Sequence, residues 1–299
     1  MPDTIKFGIR TLVPPIGQQV NTGWTGFCGE FSKQLQQQLR QTFPNTNIRV
    51  INDRVVNPEH AGHDRYYSLK NPSAEQRHDI QCGPNSLRNS NNDDEIEFAG
   101  GGSKYFYSTG IKLLMKRATF EEHFKDLPLF EASQKMRELG IKIAAKNDTT
   151  TYDKLYGMNL TVIRADSRAD SLDMLYSDDV DAYASDGIII RALMEEGVEP
   201  DNGIPERPAY GENGYVMYPD GQGYIGEESE FYTLVVSRKD ENDLYASDLL
   251  LAIERILDNQ NFMNAQGEIL RDYENGRDSS KPEPNHLLEK VLLIIAFMV

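Results

Sequence analysis

The first eighty residues alternate between two hydrophobic rhythms, and that alternation restricts the fold more than any other feature of the chain. Ile5-Lys6-Phe7-Gly8-Ile9-Arg10 places apolar residues at every second position among β-forming types, the pattern of a strand, and Pro14-Pro15 ends it. Trp24-Thr25-Gly26-Phe27-Cys28-Gly29-Glu30 then leads into a segment with Phe31, Leu35 and Leu39 at i, i+4 and i+8, one face of a helix closed by Pro44. Ile48-Arg49-Val50-Ile51 reads as a second strand, Tyr66, Tyr67 and Leu69 begin a short helix, and Asp79-Ile80-Gln81-Cys82 forms a third strand. A β-α-β-α-β order implies a parallel sheet with right-handed crossovers, because parallel neighbours need a crossover on one face.

The third strand stops at Gly83-Pro84-Asn85-Ser86, residues that prefer turns. In open α/β sheets ligands bind in the crevice beyond the carboxyl ends of strands. Asn85, Ser86 and Arg88 offer an amide, a hydroxyl and a fixed cation there, a set suited to a carboxylate or another small polar anion. A polar surface turn with a solvated arginine is the alternative.

Gly110-Ile111-Lys112-Leu113-Leu114-Met115-Lys116 is a continuous apolar strand expected to cross from one lobe to another, and residues 119–140 are charged and helical. Ile141-Lys142-Ile143-Ala144-Ala145 restarts a strand, loop, helix pattern. In the loop Asn147-Asp148-Thr149-Thr150-Thr151, Thr150 stands three residues before Asp153, a capping-box spacing that marks a helix start. Helix N-termini attract anions through free N–H groups and the macrodipole, although a plain N-cap has the same spelling. Further on, Ser167 with Asp170 caps a helix, and Val180-Asp181-Ala182-Tyr183-Ala184 is a strand stopped by Ser185-Asp186-Gly187. Asp186 thus sits between a strand end and a helix that closes at Gly197, as either N-cap or ligand contact. Residues 200–226 are loop-rich with one strand at Tyr215 to Tyr218. The strand Phe231 to Val236 crosses back, and residues 248–257 form an amphipathic helix with Leu249, Leu250, Ile253 and Ile256 on one face.

At 299 residues the chain can fill two ordinary lobes, and 39% hydrophobic content with 15 Tyr and 12 Phe is that of a folded globule. A formal charge of −16 disfavours nucleic acid and anionic membrane surfaces as partners. The N-terminus MPDTIKFGIRTLV lacks a basic region followed by an apolar run, so no secretory signal is read in it. Residues 291–299 (VLLIIAFMV) are wholly apolar but fall short of the about 20 residues a spanning helix needs. They read as the approach to a membrane helix, a tail that packs on a partner, or a segment that packs on the chain's own core. No metal is expected, since His60 and His63 stand alone in a polar loop and the two cysteines lack zinc spacing; no cofactor is expected either.

Taken in order, these anchors resemble the type II periplasmic binding proteins, specifically the amino-acid-binding solute receptors of family 3. The anchors are the first strand with Pro14-Pro15, Gly26-Phe27 before the first helix, Asp79-Ile80 with Gly83, Phe98 followed by Tyr105-Phe106 and Thr109-Gly110, the Thr149 to Thr151 loop, and Val180-Asp181-Ala182 followed by Asp186. The resemblance covers about residues 5 to 275 and implies two Rossmann-like α/β lobes joined by two crossing strands. Lobe 1 is expected at 1–117 and 228–280, lobe 2 at 118–227, and a tail at 281–299.

The resemblance also implies site roles. The family's first-lobe pattern, Gly-x-Ser/Thr-x-Thr-x-x-Arg, matches imperfectly: Ser86 fits the first hydroxyl, Arg88 stands where the second is usual, and the arginine's place falls on Asn91 or Asn92. Arg88 is the substitute for the carboxylate contact. Thr149, Thr150 and Thr151 correspond to the turn that touches the α-carboxylate, and Asp186 to the acid that accepts the α-ammonium. A desolvated zwitterion needs both charges matched, because a buried unpaired charge costs several kcal/mol. Trp24 or Tyr107 is a candidate aromatic wall for the side-chain pocket, with core packing the alternative. Cys28, at the start of the first helix, and Cys82, at the end of the third strand, come within disulfide range if the first and third strands are neighbours; two buried free thiols are the alternative.

The expected function is therefore a non-enzymatic receptor that captures a free amino acid between its lobes for an ABC-type permease, in the periplasm or outside the cell. A ligand-binding domain of a membrane sensor or channel, working through a membrane-linked effector, is the second reading. An enzyme that dehydrates small acids is the third. Glu30, Asp181 and Asp186 form no nucleophile and base pair at a recognisable spacing, so no catalytic residue is expected.

Overall fold

A computed structural model of the chain describes residues 3–10, 15–21, 23–52, 66–70, 77–85, 95–147, 149–197, 209–226, 230–238 and 244–276. In chain order the first elements are β1 (Thr4–Ile9), β2 (Gln18–Val20), β3 (Gly23–Thr25), α1 (Gly26–Thr42), β4 (Asn47–Asn52), α2 (Tyr67–Lys70), β5 (Ile80–Cys82) and β6 (Ile96–Phe98). Next come β7 (Tyr107–Thr109), β8 (Ile111–Lys116), α3 (Arg117–His123), α4 (Leu129–Leu139), β9 (Lys142–Lys146), α5 (Thr150–Gly157), β10 (Thr161–Ala165), α6 (Arg168–Tyr176), β11 (Ala182–Asp186) and α7 (Gly187–Glu196). The last are β12 (Tyr215–Tyr218), β13 (Glu230–Tyr232), β14 (Val235–Ser237), α8 (Leu244–Leu257) and α9 (Gln260–Glu274).

Two mixed α/β sheets result. The first runs β4-β1-β5-β14-β6, with β1 parallel to both β4 and β5 and with β14 antiparallel to β5 and β6. The second runs β10-β9-β11-β8-β12, with β9 parallel to β10 and β11 and with β8 antiparallel to β11 and β12. Between the sheets β7 and β13 pair antiparallel, Thr109 opposite Glu230 and Tyr107 opposite Tyr232.

Each sheet is covered as its residue pattern demands. On the first, Phe7 of β1 packs with Phe27, Phe31 and Leu35 of α1, and the rings of Phe27 and Phe106 stack at 4.1 Å. In β8 every residue but the last is buried because the strand has no solvent face. Leu113 and Met115 join one core with Phe124, Met136 and Ile143, while Leu114 joins another with Leu172, Tyr183 and Ile190. A continuous apolar run is what a strand covered on both faces requires.

Several expectations change. Ile111–Lys116, expected as the crossing strand, lies wholly within the second sheet, and β7 before it pairs with β13. The apolar run from Phe231 to Val236 is two strands: β13 pairs with β7, and β14 enters the first sheet. The run reads as one strand because both halves are buried, but Thr233 and Leu234 turn the chain between two sheets. The helix α9 was not expected, although Phe262, Met263, Ile269, Leu270 and Tyr273 recur at helical spacing. Among the described residues no helix is long and apolar enough to cross a membrane; the apolar stretch 291–299 lies outside them.

Candidate functional site

Two strand ends in each sheet build the site. In the first sheet, Ile9 pairs with Cys82, so the residues that follow, Arg10 and Gly83 to Asn85, share one edge. The approach is close: a Cβ on Gly83, whose φ is +158°, would lie 2.8 Å from the Arg10 Cβ. Glycine is what allows the two loops to touch. The Arg10 guanidinium donates to the Asn85 side-chain oxygen at 3.1 Å, and Asn85, fully buried, donates to the Gln81 carbonyl at 3.4 Å. Asn85 is thus a bracket that orients the Arg10 cation. Cys28 and Cys82 are joined by a disulfide with Cα atoms 5.9 Å apart, tying the start of α1 to the end of β5 beneath this edge.

In the second sheet β9 and β11 are parallel neighbours, Tyr183 opposite Ala144, so the Thr149 to Thr151 turn and Asp186 both follow carboxyl ends at one edge. The N-cap of α5 is Thr149, one residue earlier than the capping-box spacing places it. Its hydroxyl donates to the Lys146 carbonyl at 2.7 Å and accepts from the Tyr152 N–H at 3.2 Å. Thr150 and Thr151 therefore open the first turn, where backbone N–H groups have no intrahelical acceptor. Thr151 is buried and Thr150 partly so.

Asp186 is 8% exposed and N-caps α7 with its backbone only, since its side chain makes no capping bond. Its carboxylate accepts instead from the hydroxyl of Tyr232 on β13. Burial first, and then the charge and hydrogen bond of Asp186, hold the Tyr232 phenol far above its ordinary pKa, so it remains a donor. The next residue, Thr233, donates its N–H to the Asn85 carbonyl at 3.1 Å. One short run of the crossing segment thereby touches the Gly83 to Asn85 loop of the first sheet and the acid of the second. A further tie links Lys154 of α5 to Glu230 of β13 at 2.8 Å, with Glu230 fully buried.

The structure thus brings Asn85 to the first edge and Thr149, Thr150, Thr151 and Asp186 to the second. Ser86 and Arg88 lie outside the described residues, as do Asn91, Asn92, His60 and His63. Trp24 is partly buried on β3 and packs against the first core, with its backbone pressed on α1 where Gly29 has no side chain. Tyr107, a candidate pocket wall, is a buried residue of the crossing strand whose hydroxyl donates to Glu274. Glu30 pairs with Lys33 on the exposed side of α1, and Asp181 accepts the Lys142 N–H at 2.8 Å, which are structural roles. Sequence reasoning missed Arg10 and Tyr232. The first was legible as the last residue of a strand in a parallel sheet; the second, buried among strand residues, gave no signal.

Among the described residues no group of acidic, histidine and cysteine side chains could hold a metal ion. A depression of about 330 Å³ lies between β10 and α6, lined by Arg164, Asp170, Asp173 and Asp179.

No protein-family model and no curated protein sequence matches the chain. Solved structures do. An ancestral arginine-binding protein bound to arginine superposes with a TM-score of 0.56 at 14% identity, over 91% of this chain and 99% of that one. The GluR0 ligand-binding core in complex with L-glutamate gives 0.54 at 15% identity, over 89% and 98%. A mutant of the arginine-binding protein of T. maritima gives 0.53 at 15% identity, over 90% and 94%. An ancestral amino-acid-binding protein described as a precursor of cyclohexadienyl dehydratase gives 0.54 at 12% identity, over 91% and 95%. With two α/β lobes joined by the β7 and β13 crossings, the chain has the fold of the type II periplasmic binding proteins.

Proposed function

We propose that this protein is an amino-acid receptor that closes its two lobes on a single free amino acid. The observation that carries the reading is the pairing at the second edge: a buried carboxylate, Asp186, beside the N-terminal turn of α5. That pair complements the ammonium and the carboxylate of one zwitterion. A carboxylate can accept at about four sites, so the Tyr232 hydroxyl and a ligand ammonium can share it. The α5 turn supplies N–H groups and a positive dipole end for the α-carboxylate. The first lobe adds the Arg10 and Asn85 pair, with Ser86 and Arg88 proposed to complete the carboxylate contact. Structurally similar proteins of the same two-lobed fold hold arginine, glutamine or glutamate, which supports the ligand class.

Delivery to an ABC-type permease outside the cytoplasm is the use such a receptor suits best. The likeness to the GluR0 ligand-binding core keeps a sensor domain as the second reading. A thermal-shift screen of the twenty amino acids and common organic acids tests the proposal. A ligand at 100 times its Kd adds about 2.7 kcal/mol, which raises the Tm of a chain of this size by about 4 °C. No shift with any amino acid, together with turnover of an organic acid, would replace the receptor with an enzyme.

A further inference from the structure

The last helix among the described residues, α9, belongs to neither lobe alone. Near its start Phe262 packs on the first core, 6.1 Å from the Phe27 ring and 6.3 Å from that of Phe31. At its end Glu274, 1% exposed, is sunk into the junction between lobes. There it accepts from the hydroxyl of Tyr107 and from that of Thr109, at 3.0 Å to one carboxylate oxygen and 3.1 Å to the other, both residues being on the crossing strand β7. The backbone carbonyl of Glu274 accepts from the Arg191 side chain of α7 at 3.2 Å.

The same carboxylate lies against the residue that follows Asp186. A Cβ on Gly187 would stand 2.0 Å from the nearer Glu274 oxygen and 3.1 Å from the Lys112 Cδ. Gly187 therefore leaves room for the acid of α9 to press on the first turn of α7. Lys112, fully buried on β8, donates to the Gly221 carbonyl at 2.5 Å and lies over the Tyr224 ring at 5.5 Å. The Glu274 carboxylate thus faces Tyr107 and Thr109 from β7, Lys112 from β8, Tyr224 from the loop after β12 and Tyr232 from β13, while Asp220 acts on Lys112 and Arg191, and Arg271 on Tyr107.

We infer that Glu274 is a positioning residue for the amino-acid site: it fixes the Asp186-Gly187 turn of the second lobe against the crossing strand, and so sets the lobe geometry in which Asp186 can receive a ligand. The inference rests on the receptor reading for its effect on affinity, but not for its effect on shape. A carboxylate with donors on the crossing strand and a backbone contact beside Asp186 couples three segments that must keep their mutual placement as the lobes close. Hydrophobic packing of α9 alone would hold the helix without specifying that placement, because apolar contacts are non-directional.

The test uses the whole chain and three variants. Calorimetry with L-arginine, L-glutamine and L-glutamate reads affinity, thermal melts without ligand read stability, and small-angle scattering of the unliganded protein reads lobe arrangement. Glu274→Ala should weaken the amino acid that the wild type binds by at least about tenfold and change the scattering profile, while Glu274→Gln, which keeps an acceptor oxygen, recovers part of both. If loss of the acid beside buried Lys112 prevents folding, Glu274→Ala with Lys112→Met removes both charges and carries the same expectation. Unchanged affinity in any folded variant, or a loss that merely tracks the drop in unliganded Tm, would overturn the inference. Should the wild type bind no amino acid, the receptor reading fails by itself, and an unaltered scattering profile of Glu274→Ala then overturns the positioning role independently.

Discussion

Tyr232 and Asp186 form a buried hydrogen bond whose acceptor is also the proposed ammonium partner, and the two side chains should respond differently to substitution. A hydrogen bond to a charged group contributes about 1.5–3 kcal/mol, and a buried carboxylate deprived of a donor bears most of that loss. Tyr232→Phe should therefore lower unliganded stability by about 2 kcal/mol in a urea melt, and saturating amino acid should restore part of it by supplying a new donor. Asp186→Asn keeps the size and an acceptor oxygen but loses the charge. Its unliganded stability should change little, while amino-acid affinity falls by more than about a hundredfold, since a desolvated ammonium is then unmatched. Calorimetry showing wild-type affinity in Asp186→Asn would remove it from the site.

The Cys28 and Cys82 bridge works between elements, α1 and β5, and closes a loop across a sequence separation of 54. By the chain-entropy argument such a closure contributes about 4 kcal/mol, mainly by restricting the unfolded chain. Cys28→Ala with Cys82→Ala should lower stability by about that amount in urea melts; a change under about 1 kcal/mol would mean the bridge is strained or redundant. Elements of this kind were legible in the sequence because they follow short-range periods. The alternation of Ile5, Phe7 and Ile9 and the stripe of Phe31, Leu35 and Leu39 mark β1 and α1 without any tertiary knowledge. The neighbouring of β1 and β5, on which the cysteine pairing depends, is a condition the sequence leaves open, because a β-α-β-α-β order fits more than one strand order. Helix α9 was legible as a stripe of Phe262, Met263, Ile269, Leu270 and Tyr273 and was passed over; what the sequence could not show is which partners far along the chain its buried face meets. Glu274 is one of 47 acids in the chain, and what sets it apart is a contact with Tyr107, 167 residues away. Asp186 was legible by its place after a strand, whereas its donor Tyr232 lies 46 residues further on.

At the scale of the whole molecule, lobe placement is tied to the protonation of a buried acid. Burial raises the Glu274 pKa above the ordinary carboxylate value, and the hydrogen bond from Tyr107, the charge of Lys112 and the hydrogen bonds from Thr109 and Tyr224 oppose that rise without cancelling it. The folded chain thus holds this proton to a higher pH than the unfolded chain does. Where the folded state binds more protons, stability falls as pH rises, so the contribution of Glu274 is fully present below the ordinary carboxylate range and is lost as pH climbs through the raised value. Lys112 is shifted the other way, lowered first by burial, and its contribution is lost as pH falls from the ordinary lysine value through the lowered one. Glu274→Gln removes the first titration and leaves the second. The stability of wild type minus that of Glu274→Gln, from urea melts between about pH 4 and pH 8, should therefore shrink steadily as pH rises. A difference that is constant over that interval would show that Glu274 titrates alike in the folded and unfolded chain, and that its burial does not hold a proton at the junction of the lobes.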